Sequence, residues 1–466
     1  LPLEAVLVEG GDVRMIGPKV EGGLQMSRVR IRDVAGIAFI AQGAEFGAGV
    51  QIAGSPDEAS DIEGEVQFLG VTVRGDITLA HIVIGTADKP AALTLHAAQL
   101  TSGVTLIHIT IHGCIRAGSA RIAGDFFVHS SSLIHPGQVV CDLRGTQVGG
   151  KLQFATAARA EPINCRIDGQ VEADGAEAAT LGWARVALAD KGLLGFTNMR
   201  VSRQIDAGPL IAEGEGGINL SGTSVPLLDD EIDDEEDSWG AGKLIIGLDN
   251  FAYDRLQHPS GRRTDTPRDI RHWRNQWLSR RNAGSARPPR HLATVLRNQG
   301  LFEASRRILI DAFATEGEMR PTWVGRFVSR QFGSWFGYGL SGARAFFTLM
   351  LVWLIGIQIV IGLVESDLMI AEENGNISSC GNRIDPTIYA ADAMLPVLDL
   401  GEETECRIGS GSKAKPRRGR IVGEWEIFGE VETVRFIWAL YNVLGWTVVS
   451  LAIATWSGLF RRGGRE

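Results

Sequence analysis

The chain has 466 residues and carries 55 acidic against 46 basic side chains, a net charge of −9. That length exceeds what one hydrophobic core ordinarily supports, so two or three domains are expected. The acidic balance argues against a general nucleic-acid binder, and no nucleic-acid partner is expected.

The five cysteines form no CxxC pair, so neither a zinc ribbon nor a thioredoxin-like site is signalled, and no cofactor is expected. Leu1 opens the chain with no basic n-region and no apolar segment, so no signal peptide is expected in these residues. A start without Met leaves room for a rare start codon or a preceding piece.

From Leu1 to about Val225, short apolar alternations are each introduced by glycine: Gly23-Leu24-Gln25-Met26, Gly49-Val50-Gln51-Ile52, Gly75-Asp76-Ile77-Thr78-Leu79, Gly103-Val104-Thr105-Leu106 and Gly150-Lys151-Leu152-Gln153-Phe154. Their spacing, mostly about 20 residues, is that of a repeat architecture. Period-2 alternation buries one side chain in two, and glycine suits a corner that needs φ > 0. The expected fold is an all-β solenoid, a right-handed β-helix of about 20-residue rungs, followed by an α-helical segment and a two-helix transmembrane unit. A β-sandwich is the runner-up for the first part. Within it, His108, His112 and Cys114 fall on one face of an extended strand and raise a metal question. The same alternation turns Ile107, Ile109 and Ile111 inward, and the histidines then simply face solvent.

Residues 226–241 read as an acidic linker, because Asp229 to Asp237 is a block of like charge without the spacing of a calcium loop. Residues 242–342 read as a terminal β segment, which needs a cap, and a basic helical juxtamembrane region. There Arg268, Arg271, Trp273, Arg274, Trp277, Arg280 and Arg281 fit either a lipid-facing basic helix or a cap with a solvated basic face. Pro288 to Thr315 follows as a helical hairpin, with Leu292, Val295 and Leu296 facing Ala304, Ile308 and Leu309.

Two uncharged runs, Ala345 to Val364 and Phe436 to Phe460, are long enough to cross a bilayer. They define a membrane unit over 343–460 with a loop at 365–434, and a basic tail at 461–466. Arg326, Arg330 and Arg344 precede the first run, and Arg461, Arg462 and Arg465 follow the second. The positive-inside rule then places the N-terminal domain in the cytoplasm. Cys380 and Cys406 would face an oxidising compartment, as a disulfide or as free thiols. In the loop, Pro386 to Gly401 is a short apolar helix stopped at Pro396, with Asp399, Glu402 and Glu403 after it. Two spans bracketing a re-entrant helix are the layout of a two-helix cation-channel subunit, with the carboxylates at the ion entry. The alternative is an amphipathic helix on the outer membrane surface. Ser450, Ala454 and Gly458 follow the small-xxx-small spacing of packed membrane helices, which serves either a homo-oligomer in the membrane or packing within one hairpin.

The rung Asp142 to Phe154 (DLRGTQVGGKLQF) resembles those of bacterial pentapeptide-like β-helix membrane proteins. The resemblance extends to Phe251-Ala252-Tyr253, the 288–310 hairpin, Tyr389-Ala390-Ala391-Asp392 with Leu395 to Gly401, Val443 to Trp446, and Ser457-Gly458-Leu459. It implies a bacterial inner-membrane protein. It also brings the label of membrane-associated oxidoreductase, for which no GxGxxG, CxxC or haem-ligand pattern is present. The departure from the family is Cys406, where an aromatic residue usually follows the acidic turn. The leading functional reading is a membrane-anchored scaffold whose solenoid binds an unidentified protein partner. An oligomeric cation channel or sensor is second. An enzyme is third, and the sequence offers it no site.

Overall fold

The computed structural model describes residues 2–4, 6–32, 36–87, 89–156, 165–230, 239, 244–257, 278, 287–366, 368–373, 376–380, 384–395, 406–409 and 431–457. The chain divides into two compact units, Leu1–Ile308 and Leu309–Glu466.

In the first unit, 31 short strands among the described residues pair in parallel and wind through about nine turns of a solenoid. One rung shows the plan. Residues 77–80 form a first wall, 82–84 a second, Ala91–Thr94 a third and Gln99–Leu100 a fourth. Each wall stacks on its equivalents, as when Leu79 lies between Ile52 and Leu106. The offset between rungs is 22 where Val104 meets Phe126 and 31 where Arg30 meets Asp61. Rungs are therefore longer than the glycine spacing suggests, because loops of unequal length join the walls. Inside, Leu106, Val128, Phe154 and Trp183 stack in register, each at most 1% exposed. Burial of each such side chain is worth roughly 1.5–3 kcal/mol.

The glycines that mark the repeat do not serve as left-handed corners. Gly23, Gly49, Gly75, Gly103 and Gly150 are absent from the positive-φ positions. A Cβ at Gly49 would lie 2.8 Å from the carbonyl oxygen of Asp76, and one at Gly103 would lie 2.7 Å from that of Asp125. Close stacking of rungs, rather than φ, demands glycine there. The left-handed corners form other columns. One contains Gly17, Gly43, Gly70, Ala97, Ser119, Gly145, Gly175, Asn198, Gly222 and Asn250, and another includes Arg28, His81, His108, Ser130 and Arg185.

His108, at φ 51°, breaks the alternation that sequence alone extends through it. Leu106 and Ile109 are buried on either side, Ile107 is only half-buried and does not turn inward, and His108 is exposed. Its ring stacks on His81 at 4.9 Å. Cys114 is buried, so His108, His112 and Cys114 do not share a face.

The solenoid also runs past residue 225. Ser224–Asp230 is a strand paired with 200–207, and Ala252–Gln257 pairs on it in turn. Asp229 and Asp230 thus belong to a wall rather than to a linker. Asp230 is 1% exposed and accepts a hydrogen bond from the indole of Trp239 at 3.2 Å, and Trp239 meets Trp183 edge-on. The rest of the acidic run, 231–238, lies outside the described residues, as do Arg268, Arg271, Trp273, Arg274, Trp277, Arg280 and Arg281.

The last rung is covered by helix α1, Arg287–Asn298. His291 Nε2 sits 3.0 Å from the backbone nitrogen of Tyr253 and 2.9 Å from its carbonyl oxygen, and Gln299 donates to the carbonyl of Leu256 at 2.7 Å. These side chains occupy hydrogen-bonding positions that a further rung would otherwise take. Helix α2, Phe302–Glu318, folds back on α1 through Leu292, Leu296, Ala304 and Ile308, and Ser305 donates to the carbonyl of Ala293 at 2.6 Å.

The second unit adds α3 (Trp323–Phe336), α4 (Gly342–Glu365), α5 (Pro386–Met394) and α6 (Val431–Trp456). A three-stranded antiparallel sheet of Met369–Glu373, Asn376–Ser379 and Arg407–Ile408 follows α4. Helices α4 and α6 are long and apolar enough to cross a membrane. They run antiparallel: Trp456 donates to the carbonyl of Gly342 at one end, while Gly356 meets Tyr441 further along.

Candidate functional site

The short helix α5 is held between the two long ones. Asp385 caps it, accepting from the backbone N–H of Thr387 at 2.8 Å and from its hydroxyl at 2.5 Å, and Pro386 follows in the first turn. Hydrogen bonds from the Thr387 side chain and then its backbone lower the Asp385 pKa. Nine residues cannot hold a helix in isolation, so tertiary contacts must hold this one.

Those contacts are specific. Trp353 of α4 donates its indole N–H to the carbonyl of Thr387 at 3.1 Å, and Tyr441 of α6 donates to that of Ala390 at 3.2 Å. The ring of Tyr389 lies 5.5 Å from that of Trp438, which stacks on Tyr441 at 5.1 Å. Two glycines allow the approach. A Cβ on Gly356 would collide with the phenol of Tyr441, and one on Gly445 would lie 2.7 Å from Met394 Cγ. At about 1.5 Å per residue, Gly356 lies roughly 14 Å along α4 from Glu365, and Gly445 roughly 18 Å along α6 from Thr433. The C-terminal end of α5 therefore lies near the middle of α6, while its first turn reaches the middle of α4 through Trp353. Asp392, one turn before that end, is 9% exposed.

The loop that carries α5 is closed at its mouth. Cys380 and Cys406 form a disulfide with Cα atoms 6.2 Å apart, and both are buried. The backbone N–H of Cys380 bonds to the carbonyl of Met369, and Tyr389 donates to the carbonyl of Cys406 at 3.3 Å. Leu395, at the end of α5, and Cys406, at the mouth, are thus the described residues on either side of 396–405.

Asp399, Glu402 and Glu403 lie outside the described residues, as does Gly458. Ser450 is exposed and Ala454 half-buried, whereas Val448, Val449, Ala452 and Thr455 are the buried members of that part of α6. The small-residue stripe is therefore not the main face packed within this chain. Sequence reasoning gave no role to Gly356, Tyr441 and Gly445. The available signal was a glycine inside each uncharged run.

On the solenoid, Glu65, Thr94, His96, Arg116, Asp142 and Arg144 line an open recess across several rungs. Its charges are largely spent on one another. Arg144 makes two bonds to Asp142, at 2.9 and 2.7 Å, and Thr94 donates to Glu65 at 2.5 Å. Burial pushes the Asp142 carboxyl up, but bonds and charge from Arg144 outweigh it and hold the pKa below its ordinary value. Among the described residues no group of three or more His, Cys, Asp or Glu side chains could hold a metal ion.

No family model matches the chain, and neither a curated protein nor a solved structure matches it.

Proposed function

We propose that the chain is a membrane-anchored solenoid whose membrane unit is one subunit of an oligomeric, cation-conducting assembly. The observation that carries this reading is the seat of α5 between two membrane-competent helices, its end at the middle of α6, on a segment closed by the Cys380–Cys406 disulfide.

Non-helical backbone at membrane depth is tolerated only where protein buries it or water fills a cavity beside it. In one copy, α4 and α6 flank α5, and the chain goes on from Leu395 at that depth. A closed ring of copies would enclose it and leave a central path. The C-terminal end of α5 turns the negative end of its dipole to the membrane interior, a polarity that favours cations. Asp399, Glu402 and Glu403 follow in sequence and supply charge for the ion entry. Ser450 faces outward and is open to a neighbouring copy.

The arginine-rich flanks of both helices support a solenoid on the cytoplasmic side of a bacterial inner membrane, with the disulfide on the oxidising side. The resemblance to bacterial pentapeptide-like β-helix membrane proteins supports the same placement. The test is monovalent cation flux in liposomes carrying the full chain, compared with the Asp399→Asn, Glu402→Gln, Glu403→Gln variant. Flux that falls in the variant supports the pore. Absence of flux from folded, oriented protein sinks it.

A second reading keeps the helices as an anchor and gives the work to the solenoid as a scaffold for a protein partner. The recess between Glu65 and Arg144 favours it, since it is built from several stacked rungs.

A further inference from the structure

Helix α3 meets α4 at an elbow of three successive left-handed residues, Gly337, Tyr338 and Gly339, with φ of 55°, 56° and 77°. For Tyr338 this conformation is unfavourable and needs support from packing. The support is visible. Its ring lies against Gly333, where a Cβ would come within 2.6 Å, and packs on Phe332 at 6.1 Å and Phe313 at 5.8 Å. Arg344, in the first turn of α4, donates to the carbonyl of Gly333 at 2.9 Å and ties the two helices together.

Beside this elbow is a cleft of about 520 Å³, lined by Glu318, Arg326, Arg330, Ser334, Tyr338 and Arg344 among others. Three guanidiniums face one carboxylate. All three arginines are exposed, and none has an ion-pair partner among the described residues. Next to the cleft, α3 exposes a face of large apolar side chains: Trp323 at 74%, Val324, Phe327, Val328 and Trp335. Trp and Phe on one side with Arg on the other is the composition of a helix lying at a membrane surface. Arg344, where the apolar helix begins, stands at headgroup level.

We propose that this cleft binds the headgroup of an anionic phospholipid, its phosphodiester held by Arg326, Arg330 and Arg344 and its acyl chains lying along Phe327 and Trp335. Guanidinium forks match phosphate oxygens, and the volume is within the range of small-ligand sites. The source is a membrane lipid rather than free phosphate, because a free anion would leave the adjoining apolar face uncovered. The inference rests on the membrane reading of α4 but not on conduction.

The test uses the full chain in neutral detergent, titrated with short-chain phosphatidylglycerol or phosphatidylcholine and read as the shift of its thermal midpoint. Phosphatidylglycerol is expected to half-saturate the shift at a concentration about tenfold below phosphatidylcholine. In Arg326→Gln/Arg330→Gln the anionic lipid should lose roughly 30-fold, at about fivefold per arginine, and phosphatidylcholine, which has the same phosphodiester but an ammonium the arginines repel, only about threefold, so that the preference disappears. Arg326→Gln alone should lose about fivefold. Arg74→Gln/Arg121→Gln, the same charge change on exposed solenoid positions, should lose nothing. Equal response to the two lipids overturns the proposal, as does equal loss in the solenoid variant. Inorganic phosphate that displaces phosphatidylglycerol at the same concentration overturns the lipid assignment. Carbonate-resistant flotation with liposomes tests the membrane reading separately. Its failure removes the premise, whereas flotation without anionic preference removes only the cleft.

Discussion

The solenoid and the membrane unit put their large apolar side chains in opposite places. In the solenoid Phe39, Phe68, Phe126 and Phe154 are fully buried. In the membrane unit Phe347 is 70% exposed, Phe436 71% and Leu440 59%, while the positions of closest helix contact are glycines. The same hydrophobic effect explains both once the surroundings differ: water drives phenylalanine inward, and lipid offers it no reason to go. Shape takes over in the second case. Gly356 and Gly445 act by being small, whereas Phe154 acts by filling space.

The largest effect expected from this contrast comes from one phenylalanine on each side of it. Phe154→Ala removes a ring that packs near Phe196 at 6.3 Å, and should cost about 3–5 kcal/mol. Phe347→Ala should change stability by less than about 0.5 kcal/mol in detergent or lipid. Thermal melts of the full chain, followed by far-ultraviolet dichroism for the β signal, measure both. Comparable losses would break the contrast and place Phe347 in a packed interior.

The cysteines sharpen the comparison next. The Cys380–Cys406 bond closes a loop with a sequence separation of 26 around α5, and its removal in Cys380→Ser/Cys406→Ser should cost about 3 kcal/mol. Cys114, Cys141 and Cys165 are free and buried in the solenoid. Desolvation is the largest cause of each shift, raising Cys114 to about 11, Cys165 to about 12 and Cys141 well above its ordinary value. A thiol whose folded pKa is raised favours the fold fully below its unfolded pKa, and that contribution is lost as pH climbs through the folded value. Solenoid stability should therefore fall between about pH 9 and pH 12, less steeply in Cys165→Ala. Alkylation at pH 8 should leave all three native thiols unmodified and label them once the chain is unfolded. Rapid native labelling of Cys141 would show that its wall opens.

Gly356→Leu comes third. Its side chain must displace the Tyr441 phenol, and overpacking of this kind costs about 1–3 kcal/mol. Its functional consequence should exceed its thermal one, because it moves the seat of α5. Proteoliposome flux measured beside the melt separates the two. Flux that survives would detach conduction from the position of α5.

The repeat, its glycine column, the hairpin at 288–315 and the two apolar helices were legible because each is written as a period or an unbroken run. The corners were not. His108, His81 and Ala97 take φ near 50° as non-glycine residues, so a rule that looks for glycine passes over them and carries the alternation one residue too far, as at Ile107. The extent of the solenoid was misjudged for a related reason. Asp229 and Asp230 look like solvated charge, yet wall pairing and the indole of Trp239 hold Asp230 inside. In the membrane unit, the short helix was legible as an element, but its depth was not. Depth is set by what Gly356 and Gly445 admit, and a glycine in an apolar run does not state its neighbour.

The smallest effect concerns those corners. Ala97 holds φ 55° in a column where Gly43, Gly70, Gly145 and Gly175 hold the same turn. A left-handed residue with a Cβ carries about 1–2 kcal/mol of strain, and glycine gives back about 0.5–1 kcal/mol through its freer unfolded chain. Ala97→Gly should therefore stabilise the solenoid by up to about 1 kcal/mol. Its neighbour Ala98 is fully buried and outside the left-handed set, so Ala98→Gly loses both a packed methyl and chain stiffness and should destabilise. Opposite signs from adjacent alanines, read as shifts of the thermal midpoint, are what a backbone cause demands. The same sign from both would assign the cost of the corner to side-chain burial, which the exposed methyl of Ala97 cannot supply.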